Sequence, residues 1–299
     1  MPDYSHLTGW SNLPEETEGI MKGLPIPIFE NASAELKGTG KGKTVLLYEF
    51  IQKLYPNFEQ IQQVSDCTSF MAAHCIDILK GVEIILNGEF EELDNITATE
   101  FIYGGSRVNI GGGRINGGGS TGGFTADLIN KIGSVSRSKY NKIDLSTYDS
   151  DRANRWGDQG VPTELLNIAK DHKVKTVSQV STYEGVRDAI ANGFPVGVCS
   201  NYGFDNSVRD KHGILYRSGT WFHAQSIIAL DDSYKIPSCL ILNSWPFNWV
   251  SGPQRYGNEP KGSYWVTADT INEMVGQNDS FVYSNFDGYK TQNLNLRIV

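Results

Sequence analysis

The chain has 299 residues, 39% hydrophobic and 20% charged, a globular composition that excludes fibrous and disordered classes and can fill one large core or two modest ones. Lys+Arg 26 against Asp+Glu 34 leaves a formal charge of −8, and no basic tract exceeds Lys41-Gly-Lys43, so nucleic acid is not an expected partner. No apolar run approaches the roughly 20 residues that span a bilayer, and the start Met1-Pro2-Asp3-Tyr4 lacks the basic cap and apolar stretch of a secretion signal, so no membrane partner is expected either.

Residues 1–43 mix Pro, Gly and polar side chains without sustained periodicity, which predicts an extended N-terminal arm or linker. From 44 to 54 the apolar spacing fits a helix stopped by Pro56, although its β-branched start keeps a strand open. Residues 66–80 carry Cys67, Phe70, Met71, His74, Cys75, Ile78 and Leu79 at spacings of three and four, predicting a long buried helix with Ser65 or Asp66 as N-cap. The stretch 104–123 holds ten glycines, too many for a regular element, and feeds an amphipathic helix over 124–132. Helices are expected at 162–171 and 182–192, and short strands at 195–199, 225–230, 238–242 and 263–266. A helical first half and a stranded second half predict an α+β chain of two lobes rather than a doubly wound sheet.

Two glycine motifs suggest nucleotide binding and fail on inspection. Gly38-Thr-Gly-Lys-Gly-Lys-Thr44 lacks the Gly five positions before its Gly-Lys pair, since position 37 is Lys, and no strand aims it. Gly117-x-Gly119-x-x-Gly122 matches a dinucleotide fingerprint, but no strand enters it and glycine is so abundant there that a match is nearly guaranteed. The four cysteines, Cys67, Cys75, Cys199 and Cys239, show no zinc-site spacing and read as thiols in a reducing compartment, cytoplasmic or virion-associated. No metal and no organic cofactor is implied.

Cys67 has chemistry in its favour, because the unpaired N–H groups and positive dipole end of a helix start favour a thiolate there. Downstream, Trp221-Phe222-His223-Ala224 opens an apolar strand ending at Asp231. Leu242-Asn243-Ser244-Trp245 then ends the next strand, followed by Trp249. An Asn whose amide oxygen accepts from one imidazole nitrogen fixes that ring and leaves the other nitrogen for a thiol, while indoles keep water from the bond.

In this order the chain resembles the papain-like cysteine peptidases, of a divergent bacterial or viral type, from about Lys43 to Val275. Asn243-Ser244-Trp245 with Gly262-Ser-Tyr-Trp-Val266 is similar to the family's Asn-Ser-Trp-Gly block and the strand after it. Phe222-His223-Ala224 resembles its His-Ala strand, and Asp66-Cys67-Thr-Ser-Phe70 the end of its nucleophile motif. Residues 97–103 stand where the family has its Leu-Ser-x-Gln segment, and Asn192-Gly-Phe-Pro195 resembles its Gly-Pro-Val strand. The resemblance departs at Thr68, where an aromatic is usual, at Val64 and Ser65, where Cys-Gly is usual, and at Ile61, where the oxyanion Gln is usual. Residues 1–43 also lack the helical charge pattern of that family's inhibitory prosegments.

The resemblance implies a two-lobe fold, with a helical lobe at 44–165 and an antiparallel, β-barrel-like lobe at 166–285, a tail at 286–299, and a cleft between the lobes. It implies a thiol hydrolase, expected to be a peptidase working through a thioester acyl-enzyme. Cys67 would attack, His223 would pair with it as an ion pair and protonate the leaving amine, and Asn243 would orient His223. Gln62 is the expected oxyanion donor, with Gln63 and Gln60 as alternatives. Gly122, Gly123 and the Phe222 backbone would border a peptide or protein substrate, and Trp245 and Trp249 would pack over the site. The alternative is an inactive papain-like domain serving as a structural or adaptor component of a virion or other assembly, with the arm at 1–43 clamping a partner.

Overall fold

The apolar spacing of 66–80 becomes the central helix of the protein, and the elements around it follow from which residues can bury a face against it. In the computed structural model, which describes residues 3–31, 34–87 and 95–284, the order is α1 (Pro14–Met21), β1 (Thr44–Leu46), α2 (Tyr48–Leu54), α3 (Cys67–Val82), α4 (Thr99–Gly104) and α5 (Gly122–Lys131). A two-residue hairpin follows, β2 (Lys139–Tyr140) and β3 (Ile143–Asp144), then α6 (Ser150–Gln159), α7 (Thr163–Ala169), β4 (Thr176–Gln179) and α8 (Tyr183–Ala191). The chain then turns to β5 (Val196–Tyr202), β6 (Thr220–Asp231), β7 (Ser238–Leu242), β8 (Ser263–Thr267), α9 (Ala268–Val275) and β9 (Phe281–Ser284).

The expected α+β class is present, with antiparallel pairing throughout the main sheet. Strand order is β4-β9-β5-β6-β7-β8, with β1 paired to β6 as well. The barrel-like expectation is corrected here: the described strands form an open path, because β4 and β8 at its ends do not pair with each other. The strand β6 is central and long because 223–231 can be buried on both sides, and α3 packs against it. Ser226 Oγ in β6 donates to the Met71 carbonyl of α3 at 2.9 Å, which fixes the helix carrying Cys67 relative to the strand carrying His223.

The stretch 44–54 divides, its β-branched start becoming β1 and the remainder α2. The N-terminal arm differs more sharply from the extended linker expected. It contains α1, and Leu7, Trp10, Leu24, Phe29 and Leu36 are all buried. Glu30 accepts at one carboxylate oxygen from Ser181 N (2.8 Å) and Thr182 N (3.0 Å) just before α8. The P-loop-like glycines spend their N–H groups on carboxylates of the protein itself: Gly38 N and Gly40 N on Asp188 at 2.7 and 3.0 Å, Gly42 N on Asp232 at 2.6 Å. The expected tail at 286–299 lies outside the described residues.

Candidate active site

The α3 helix begins at Cys67 because Asp66 leaves helical geometry there, with φ −111° and ψ 27°. The Asp66 side chain does not cap the helix; it accepts from Tyr148 Oη at 2.9 Å, and burial holds its carboxyl well above the usual carboxylate range. Cys67 is wholly buried. It packs with Met71, Cys199, Ala224 and Trp10, so its neighbours include the residue that follows His223.

His223 and Asn243 meet as the spacing predicts: His223 Nε2 and Asn243 Oδ1 lie 2.8 Å apart. Since Asn243 Oδ1 can only accept, Nε2 carries the hydrogen, and Nδ1 becomes the free basic nitrogen. That Nδ1 is buried and has no hydrogen-bond partner. Trp245 lies over the imidazole with ring centroids 4.8 Å apart, and Trp249 and Trp221 close the cluster around Trp245 at 5.5 and 4.6 Å.

Across this seam runs the arm. Gly9 N and Trp10 N both donate to the Phe222 carbonyl at 3.0 Å, and on the other side Ser120 N donates to Gly9 O and Ser11 N to Ser120 O, each at 2.9 Å. The backbone at Phe222 and Ser120 therefore forms the two rails of the cleft, and residues 9–11 occupy them. Only glycine passes between: a Cβ on Gly9 would lie 2.2 Å from the Ser65 carbonyl oxygen.

The three candidate glutamines separate clearly. Gln62 Nε2 donates to Leu7 O at 2.7 Å and to Val64 O at 2.8 Å, while Ser244 Oγ donates to Gln62 Oε1 at 2.6 Å. Its amide thus faces the arm and is braced from the residue after Asn243. Gln60 turns inward, donating to Thr97 O at 3.0 Å and accepting from Arg137 at 2.6 Å, and Gln63 is exposed.

Gly122 and Gly123 lie at the cleft but direct their N–H groups inward, to Asp279 at 2.7 and 2.8 Å. On this side of the cleft it is Ser120 that pairs with the backbone of residues 9–11. Two residues of this region have no sequence signal of the kind used above. Arg107 donates from Nε to Gly157 O at 2.8 Å, from Nη2 to Gly117 O at 2.7 Å, and from Nη1 to Gly119 O, so one guanidinium holds the glycine-rich rail. Asp279 accepts four bonds, two from α5 and two from the arm, through Trp10 Nε1 (2.7 Å) and Thr17 Oγ1 (2.9 Å). Its role could be suspected only from an Asp beside an apolar strand.

Burial sets the protonation states. It pushes the Cys67 thiol up to about 12, the nearby Asp66 adding to the rise and the N–H groups of Ala224, Gly9 and Thr68 opposing it. It brings His223 down to about 4 against the opposing bond from Asn243. Desolvation thus works against both charges of the expected thiolate–imidazolium pair under the arm and favours the neutral thiol and imidazole. Burial also raises Asp279 to about 6 against its four donors. Among the described residues no group of three His, Cys, Asp or Glu could hold a metal ion, and no helix is long and apolar enough to cross a membrane.

No protein-family model and no curated protein matches the sequence. Solved structures do. Xylellain, a cysteine protease from Xylella fastidiosa, is similar with a TM-score of 0.55 and 19% identity over 96% of this chain and 95% of its own. Procathepsin B from Trypanosoma congolense aligns with a TM-score of 0.55 and 13% identity over 94% and 87%, and digestive procathepsin L 3 from Tenebrio molitor larval midgut with 0.51 and 13% over 95% and 77%. These likenesses show that the chain has the fold of papain-like cysteine proteases.

Proposed function

We propose that the protein is a papain-like thiol hydrolase cleaving peptide bonds, and that residues 6–11 hold it in a covered form. The observation that carries this reading is the His223 Nε2–Asn243 Oδ1 contact of 2.8 Å, with Nδ1 left unpartnered, on a strand locked to the helix that starts with Cys67. A core histidine with a purely structural task would have both nitrogens satisfied.

With the arm displaced and water admitted, the desolvation that keeps Cys67 and His223 neutral falls away, and His223 Nδ1 accepts the thiol proton. The thiolate attacks the carbonyl carbon, and the negative charge developing on oxygen is met by the Gln62 amide and the Cys67 N–H. A donor of that kind lowers the barrier by about 3 kcal/mol. His223 then protonates the leaving amine as the thioester forms, and water hydrolyses the thioester. Leu7 O now occupies the Gln62 donor, which is why the covered form is also an inhibited one.

The rival, an inactive structural or adaptor domain, draws on the complete burial of Cys67. Labelling the full chain with an epoxide-type thiol-peptidase inhibitor and mapping the modified residue decides between them. Modification confined to Cys67 once limited proteolysis has cut the arm from the cleft, lost in Cys67→Ser and accompanied by peptide hydrolysis, is the expected result. An unmodified Cys67 even after the arm is cut from the cleft by limited proteolysis would establish the inactive scaffold.

A further inference from the structure

Beside Cys67, the arm sends the indole of Trp10 into a pocket walled by Met71, Cys199 and Ala224. The ring stacks on Phe222 at 6.0 Å, and the side chain is only 3% exposed. At the far end of the pocket its Nε1 donates to Asp279 Oδ2 at 2.7 Å. Asp279 is itself buried and anchored independently of the arm by Gly122 N and Gly123 N.

Two of the four donors to that carboxylate thus belong to the cleft wall and two to the arm. When the segment over Cys67 leaves, a buried acceptor remains, aimed into an apolar pocket and short of a partner. A group of this kind selects: a buried acceptor built to meet an N–H rejects an isostere that lacks it far more strongly than an apolar pocket separates two sizes.

We propose that Asp279 is the specificity-determining residue of this cleft, and that the pocket takes a large flat side chain with an N–H donor at its far end, tryptophan in a peptide substrate, in preference to phenylalanine. The proposal rests on the thiol-hydrolase reading above, with Trp10 as the intramolecular occupant of a substrate pocket. Phenylalanine fills the walls and leaves Asp279 unmet. Arginine could meet Asp279 but would surrender the hydration of its guanidinium to Met71, Cys199 and Ala224, a loss that a pairing of this kind need not recover.

The full-length chain carrying Trp10→Ala empties the pocket without altering its walls. Three peptidyl epoxides identical except for Trp, Phe or Arg at the pocket position are compared by their rate of Cys67 modification, read by mass mapping, with iodoacetamide as a probe that has no side chain. The Trp probe is expected to react roughly tenfold or more faster than the other two, and Asp279→Asn in the same background should bring it to the Phe rate. Equal Trp and Phe rates, or a faster Arg probe, would overturn the assignment.

Iodoacetamide separates the two levels of failure. If Cys67 reacts with it no faster than Cys75, Cys199 and Cys239, the hydrolase reading falls and takes the pocket with it. If Cys67 does react faster and the Trp probe shows no preference, the pocket assignment falls by itself. Should the Asp279→Asn chain not fold, Trp10→Phe in the full chain keeps the test, since it keeps an aromatic ring in the pocket and loses the N–H. Several-fold faster labelling of Cys67 by iodoacetamide is then expected, and an unchanged rate would overturn the role of Asp279.

Discussion

On one flank of Cys67 the arm is fastened by a buried carboxylate, and on the other it rests on an aromatic face beside a cavity. Trp10 fills its pocket and reaches Asp279 at 2.7 Å. Tyr4, five residues before Gly9, stacks on Trp245 with ring centroids 5.1 Å apart and borders a space of about 460 Å³ shared with Asp3, Thr8, Trp221 and Trp249. The difference shows where the cover is held. A donor–acceptor bond in a dry pocket fixes one geometry, whereas a stacked pair beside open space leaves its ring free to shift. The arm is therefore expected to open from the Tyr4 side and to stay closed through Trp10.

The largest effect that tests this concerns pH. Burial raises the covered Cys67 thiol to about 12 from an ordinary 9.0, and the thiolate is the reactive form. Labelling of Cys67 in the full chain should therefore keep climbing about tenfold per pH unit through the alkaline range, without levelling near 9. In Trp10→Ala the curve should level at lower pH, because water then reaches the sulfur. A stopped-flow alkylation profile of both chains checks it, and coincident curves would mean that Trp10 does not hold the cover.

Next in size, Trp10→Ala at neutral pH should expose Cys67 by roughly a hundredfold, since truncating a buried Trp costs about 3 kcal/mol or more. Gly9→Ala should follow, between roughly fivefold and a hundredfold. Its Cβ would lie 2.2 Å from Ser65 O, and overpacking of that kind costs about 1–3 kcal/mol. Smallest is Tyr4→Ala, about two- to tenfold, the range of one aromatic pair worth about 0.5–1.5 kcal/mol. Iodoacetamide labelling of Cys67 ranks all three, and a Tyr4→Ala effect equal to that of Trp10→Ala would erase the contrast between the flanks.

The spacing of apolar residues revealed α3, α5 and α8 to within a few residues, because each buries a face wide enough to mark the sequence. It did not reveal α6, whose ten residues bury little beyond Ala153 and Trp156, nor the four-residue β4 and β9, too short for a period to declare itself. The His223–Asn243 contact was legible because two strand-end residues placed beside apolar runs have few ways to meet. The cover was not legible. Residues 9–11 follow neither helical nor strand periodicity, since their conformation is set by rails at Phe222 and Ser120 lying more than a hundred residues away in sequence. Asp279 was invisible for the same reason: its partners come from the arm and from α5.

The cover has a consequence for the lifetime of the sulfur. Oxidation by peroxide proceeds through the thiolate, first to the reversible sulfenic acid and then to the sulfinic and sulfonic forms that ordinary thiols do not restore. Cys67, wholly enclosed and held as a thiol well past neutrality, is shielded on both counts. The arm therefore protects the Cys67 sulfur chemically as well as covering it. After brief exposure to hydrogen peroxide, intact chains should retain an unmodified Cys67 while Trp10→Ala chains accumulate its sulfenic and sulfinic acids, so that a chain kept closed ages more slowly than one that has been opened.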